Sequence, residues 1–181
     1  MKNSVRIDWY RIDAVIICLL VGCLGFAGCG KTDMGGYSNE WLYPERVSSV
    51  YVEMFDTASL RRGHEYHLTD AVAKRIEAET PYKIVSNRNR ADTVLSGSIS
   101  RASEAVLVRE QQTGQPLEKQ FEMSAVVSWK NLKTGELLID SKEASASASF
   151  SSFQDQGVEY ASRLAANRLA ERIVEMMQKS W

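Results

Sequence analysis

Phe121-Glu122-Met123-Ser124-Ala125-Val126-Val127-Ser128-Trp129-Lys130 decides the fold. Phe121, Met123, Ala125, Val127 and Trp129 alternate with Glu122, Ser124, Ser128 and Lys130. Successive side chains of a strand point to opposite faces, so this pattern predicts a strand with one face in a core and the other in solvent. On one side of it, Gln111 to Gln115 with Thr113-Gly114 predicts a turn or a longer hairpin loop. On the other, Asn131-Leu132-Lys133-Thr134-Gly135 turns the chain back.

The neighbouring stretches carry the same period. Thr93 to Arg109 places Leu95, Gly97 and Ile99 on one face, and Val106 and Val108 resume the alternation beyond an irregularity near Ser103. After the second turn, a strand runs from Glu136 through Leu138 and Asp140 into Ala144-Ser145-Ala146-Ser147-Ala148-Ser149-Phe150. Its Ala and Ser alternation offers a small apolar face on which a helix can sit closely. Low complexity is the competing reading, against which Phe150 and Phe153 argue for burial.

Two helices and one more strand complete the pattern. Val50-Tyr51-Val52-Glu53-Met54-Phe55 is rich in β-formers and ends in a turn-prone stretch. Tyr66 to Glu79 sets Leu68, Val72 and Ile76 four apart, with Ala71 and Arg75 on the same side, until Pro81 stops it. Tyr82-Lys83-Ile84-Val85 is a short extended piece, followed by the polar loop Asn87-Arg88-Asn89-Arg90. From Gln154 to Lys179, Val158, Ala161, Leu164, Ala165, Leu169, Ile173 and Met176 recur at steps of three and four, the spacing of one helical face. The order β, α, β, β, β, α predicts an α+β domain: a two-layer sandwich of a mainly antiparallel four-stranded sheet with both helices on one face.

The N-terminus reads as an export signal. Lys2, Arg6 and Arg11 precede the apolar run Ala14-Val15-Ile16-Ile17-Cys18-Leu19-Leu20-Val21, and the small residues Ala27-Gly28 precede Cys29. The run is shorter than a membrane-crossing helix requires. Phe26-Ala27-Gly28-Cys29 resembles the bacterial lipobox, whose cysteine becomes the lipidated first residue of the mature chain. Leu20-Val21-Gly22-Cys23 fits the same pattern with a shorter apolar core, so Cys29 is preferred over Cys23. The expected organisation is a signal peptide over 1–28, a lipidated N-terminus and tether over 29–45, and the α+β domain over 46–181. Within the tether, Trp41-Leu42-Tyr43 either rests on the membrane interface or folds back on the domain.

Composition narrows the chemistry. The 181 residues hold 22 Lys+Arg and 23 Asp+Glu, a balance that argues against bulk nucleic-acid binding. From Arg61 to Arg109, nine basic residues stand against six acidic ones, room for a weak basic surface. Cys18 and Cys23 lie in the signal segment and Cys29 is consumed by lipid, which leaves no thiol for catalysis or for zinc. Gly25-Phe26-Ala27-Gly28-Cys29-Gly30-Lys31-Thr32 matches the phosphate-binding loop G-x-x-x-x-G-K-[ST], with Asp140 as a candidate carboxylate for magnesium. The match lacks its context, because Asp33-Met34-Gly35-Gly36 begins no helix whose N-terminus would hold phosphate. His64 and His67 can approach one another but lack an evident third metal ligand. No nucleophile, base and orienting acid assemble around two histidines, so neither an enzyme, a metal nor a cofactor is expected.

Taken in order, the lipobox, Gly36-Tyr37, the strand closing in Phe55, Leu68-Thr69-Asp70-Ala71-Val72, Ala91-Asp92-Thr93-Val94-Leu95-Ser96-Gly97-Ser98-Ile99, the hairpin and the terminal helix resemble the LPS-assembly lipoprotein LptE family. The resemblance implies an outer-membrane lipoprotein, lipid-anchored on the periplasmic side, that plugs and helps assemble the LptD β-barrel and assists lipopolysaccharide delivery to the cell surface. A polar barrel lumen suits such a plug. Contact with lipopolysaccharide would use cations beside apolar residues. Arg109, by its place in the hairpin, is the first candidate, then Arg101, Arg88 and Arg90. The alternative is another periplasm-facing lipoprotein of similar fold acting as a docking or activator module, and the remote one a P-loop nucleotide hydrolase.

Overall fold

The computed structural model describes residues 42–44, 46–57, 62–151 and 157–179. In chain order the elements are β1 (Ser49–Val52), β2 (Asp56–Thr57), α1 (His64–Glu79), β3 (Lys83–Ile84), a 3-10 turn (Arg88–Arg90), β4 (Thr93–Arg109), β5 (Pro116–Asn131), β6 (Leu137–Ser151) and α2 (Val158–Met176). Among the described residues these strands form one sheet in the order β3-β1-β4-β5-β6, with β2 also paired to β4.

The α+β class and the helix layer match the expectation, while the sheet is larger and more mixed than four mainly antiparallel strands. β4, β5 and β6 are antiparallel, whereas β1 runs parallel to both β3 and β4, and β2 parallel to β4. The parallel pairing follows from α1. A helix between two strands of one sheet returns the chain to the same end, so the next strand runs alongside in the same direction. β2 and β3 have two residues each, too few for alternation to register in a sequence.

The core lies between the sheet and the helices. Phe121, Met123, Ala125, Val127 and Trp129 are all buried, as their alternation predicts. Leu68, Ala71, Val72 and Ile76 of α1 are buried in the same core, and that helix closes where the Thr80 N–H and hydroxyl both donate to the Ile76 carbonyl. α2 buries Ala161, Ala165, Ala166 and Ala170 with Leu169, Ile173 and Val174, and packs on β5, β6 and α1. Ala144, Ala146 and Ala148 of β6 are buried beneath it. Small residues on both surfaces let helix and sheet approach closely, so the Ala and Ser tract is a packing device and not a low-complexity loop.

Bulges and register shifts adjust the faces. Between Trp129↔Ile139 and Val127↔Lys142, β6 spends one residue more than β5, and Ser141 takes φ 43. The extra residue reverses parity, so Ile139 and Ala144 both face the core while Leu138 is half-buried and Asp140 exposed. In β4 the register shifts between Ile99 and Arg101, ahead of the irregularity expected near Ser103, and again between Val106 and Arg109. Gly97 is required where it stands. A Cβ there would lie 2.6 Å from Phe55 Cε1 and 2.7 Å from the Val126 carbonyl, so the Phe55 ring rests directly on the strand.

The packed domain begins before position 46. Tyr43 is buried with its ring 5.7 Å from that of Tyr82, which stands 5.7 Å from Trp129. Leu42 packs against the same core, and its carbonyl accepts from the Lys179 N–H at 2.8 Å. Leu42 and Tyr43 therefore fold back on the domain; Trp41, like the signal segment, Cys23, Cys29 and Gly36-Tyr37, lies outside the described residues.

Candidate functional site

β4 and β5 form one long hairpin that the helices cover along its base half. Thr93, Val94, Leu95 and Ile99 are buried, whereas from Arg101 onward every residue of β4 is half-buried or exposed. On β5, Pro116 to Gln120 are half-buried and Phe121 is the first buried residue. The free half ends in apolar residues that face solvent: Val106 is 38% exposed, Leu107 49% and Val108 44%. Arg109 follows them directly. Its Nη1 donates to the Gly114 carbonyl at 3.1 Å, which draws the guanidinium over the tip loop, and Gly114 holds φ 69 to close that loop. A planar cation beside three exposed aliphatic side chains offers paired donors for a phosphate and a surface for alkyl chains.

The structure does not gather the four arginines. Arg101 is exposed partway along β4, opposite Ser124. Arg88 and Arg90 occupy the 3-10 turn just before β4 begins, at the far end of the sheet. At about 3.3 Å per strand residue, the length of β4 puts that turn about 50 Å from Arg109. Arg88 is further committed to Glu53, 3.2 Å away. A single ligand headgroup cannot touch both ends.

The base end has its own polar construction. Asp92 Oδ2 accepts from the backbone N–H of Ser48 (3.1 Å) and Ser49 (3.0 Å) and from the Ser49 hydroxyl (3.0 Å), and Lys133 pairs with the other oxygen. One carboxylate thus ties the entry to β1, the start of β4 and the β5–β6 turn. Lys133, then the Ser49 hydroxyl and the Ser48 N–H, hold the Asp92 carboxyl down at about 2 against the opposing effect of burial. Beside it lies a pocket of about 420 Å³ whose walls include Arg46, Lys133 and Lys179, with Glu136 among them. Sequence inspection missed this cluster, because positions 46, 133 and 179 meet through the topology and share no motif.

The LptE lipopolysaccharide-assembly family model matches residues 47–177. The chain belongs to the LptE family. No curated protein sequence matches it. Among solved structures, a protein of Xanthomonas campestris is similar at 13% identity and a TM-score of 0.53, covering 71% of this chain and 82% of that one. An uncharacterized lipoprotein B of Nitrosomonas europaea is similar at 13% identity and a TM-score of 0.51, covering 77% and 85%. A hypothetical protein of Chlamydia trachomatis is similar at 10% identity and a TM-score of 0.51, covering 71% and 94%. At these identities the likeness extends to the fold.

In this LptE-family chain the remaining sequence candidates have structural explanations or fall outside the described residues. The His64 ring lies 5.2 Å from that of Phe121, and His64 and His67 share a cleft with Arg62, Val158, Glu159 and Ser162. Among the described residues no group of three His, Cys, Asp or Glu side chains is placed to hold a metal, and no helix is long and apolar enough to cross a membrane. Asp140, the candidate partner of the phosphate-loop motif, is exposed on β6 and accepts from the Ser141 hydroxyl at 3.2 Å. The motif itself, Gly25 to Thr32, is outside the described residues.

Proposed function

We propose that this LptE-family chain is an outer-membrane lipoprotein, anchored through Cys29 on the periplasmic side, whose domain fills the lumen of an LptD-like β-barrel and meets lipopolysaccharide at its hairpin tip. The family match over 47–177 carries this reading. The hairpin gives it a physical basis. A transmembrane barrel has an apolar band about 25 Å tall and a polar interior. A hairpin about 50 Å long that exposes Ser98, Ser100, Arg101 and Ser103 along its flank spans such a lumen and leaves Arg109 and Leu107 beyond it. Lipopolysaccharide presents phosphates and acyl chains, the two chemistries that the tip matches.

The dispersion of the arginines ranks them. Arg109 stays first and Arg101 second, since both face solvent on the free half. Arg88 and Arg90 belong to the other end. Affinity purification from native envelopes tests the partner. Recovery of a barrel protein of LptD size supports the proposal, and recovery of a cell-wall synthase or secretion ring favours the docking-module alternative. Cys29→Ala tests the anchor: the variant should leave the membrane fraction, and full retention would refute lipidation at that position.

A further inference from the structure

We infer that the pocket lined by Arg46, Lys133 and Lys179 seats the headgroup phosphate of an anionic phospholipid in the membrane to which the chain is tied. The inference rests on the anchored reading of the N-terminus given above and adds a second contact with that membrane. Three cations from three separate segments converge on a space of about 420 Å³, with Glu136 as the carboxylate of its lining and Lys133 shared with Asp92. That volume suits a polar headgroup, and not an acyl chain in addition.

The position of the pocket selects the ligand's source. Pro44 and Arg46 form one wall, so the pocket sits where the tether joins the domain. Twelve residues lie between Cys29 and Leu42, a reach of at most about 45 Å. Under the anchored reading the tether enters the domain at its base end, and anionic headgroups attract Lys and Arg within a Debye length. Leu137, 49% exposed, lies in sequence between the lining residues Glu136 and Leu138 and offers the rim an apolar contact. The larger groove of about 950 Å³ beside β6 does not suit phosphate. Glu143, Glu171 and Glu175 line it against Arg168 and Arg172, so its carboxylates outnumber its cations.

A phospholipid contact at the base would be separated from the tip by the length of β4. The test uses the full anchored chain in nanodiscs, with an environment-sensitive dye on Leu137→Cys, or on Leu107→Cys as the tip control. In discs of phosphatidylethanolamine with phosphatidylglycerol, the dye at 137 should shift to the blue, and in phosphatidylcholine discs it should not. Arg46→Glu combined with Lys179→Glu, both at exposed positions, should abolish the shift while the chain stays on the disc. An equal shift in both lipids, or a shift that survives charge reversal, would overturn the inference, whereas loss of the shift on adding inorganic phosphate would support a phosphate seat. Loss of the chain from the discs would overturn the anchor and the inference together; a retained chain with a silent dye would overturn the inference alone.

Discussion

The two halves of the β4–β5 hairpin share one ladder and differ in what lies on them. At the base, Leu95, Ile99, Met123 and Trp129 are sealed under the helices, Phe55 presses on Gly97, and Asp92 binds three segments together. At the tip, Val106, Leu107 and Val108 face solvent and the register shifts twice in four residues. The ladder alone does not decide stability; cover does. The base half is where substitutions should unfold the protein, and the tip half is where they should change what it touches.

Gly97→Ala is the severest test of that division. The methyl group would meet Phe55 and the Val126 carbonyl inside van der Waals distance, and overpacking of this kind costs about 1–3 kcal/mol. Chemical denaturation should report a loss in that range. A loss under about 0.5 kcal/mol, the scale of surface changes, would mean that Phe55 yields easily and the base is less sealed than described.

Asp92→Asn comes next, at about 1–2 kcal/mol after allowance for the exposure of Lys133. The direction with pH follows from the depressed carboxyl. Its contribution is complete above the ordinary aspartate value of about 3.9 and is lost as pH falls toward about 2. Wild-type stability should therefore drop more steeply than that of Asp92→Asn across this window. Parallel curves would show that Asp92 is not the latch.

Leu107→Ser should be the mildest. An exposed leucine at the tip contributes within about 0.5 kcal/mol to folding, so melting should be unchanged while lipopolysaccharide capture falls. A clear fall in melting temperature would place the tip inside the cooperative unit and erase the contrast.

The same contrast explains what the sequence discloses. Long elements with one buried face announce themselves: the alternation over Phe121 to Trp129, the four-residue spacing of Leu68, Val72 and Ile76, and the stripe of α2 all lie where their period puts them. Elements too short for a period do not, which is why β2 and β3 were invisible as sheet members. The parallel direction of β1 was in principle readable from the intervening α1. The Ser141 bulge was not, because a single left-handed serine leaves no compositional trace and yet reverses the facing of Leu138 and Ile139. For the candidate site, composition revealed arginines but not their separation. Arg109 and the Arg88–Arg90 turn stand at opposite ends of one strand, and the Arg46, Lys133 and Lys179 cluster required the completed topology.

Photo-crosslinking from the tip reads whether lipopolysaccharide meets Leu107 and Arg109. With a photoreactive amino acid in place of Leu107, the chain in growing cells should crosslink to lipopolysaccharide, and Arg109→Glu in the same background should sharply reduce the adduct without altering expression or melting. Undiminished crosslinking in Arg109→Glu, or an equal yield from a probe at Arg90 at the base end, would contradict the account.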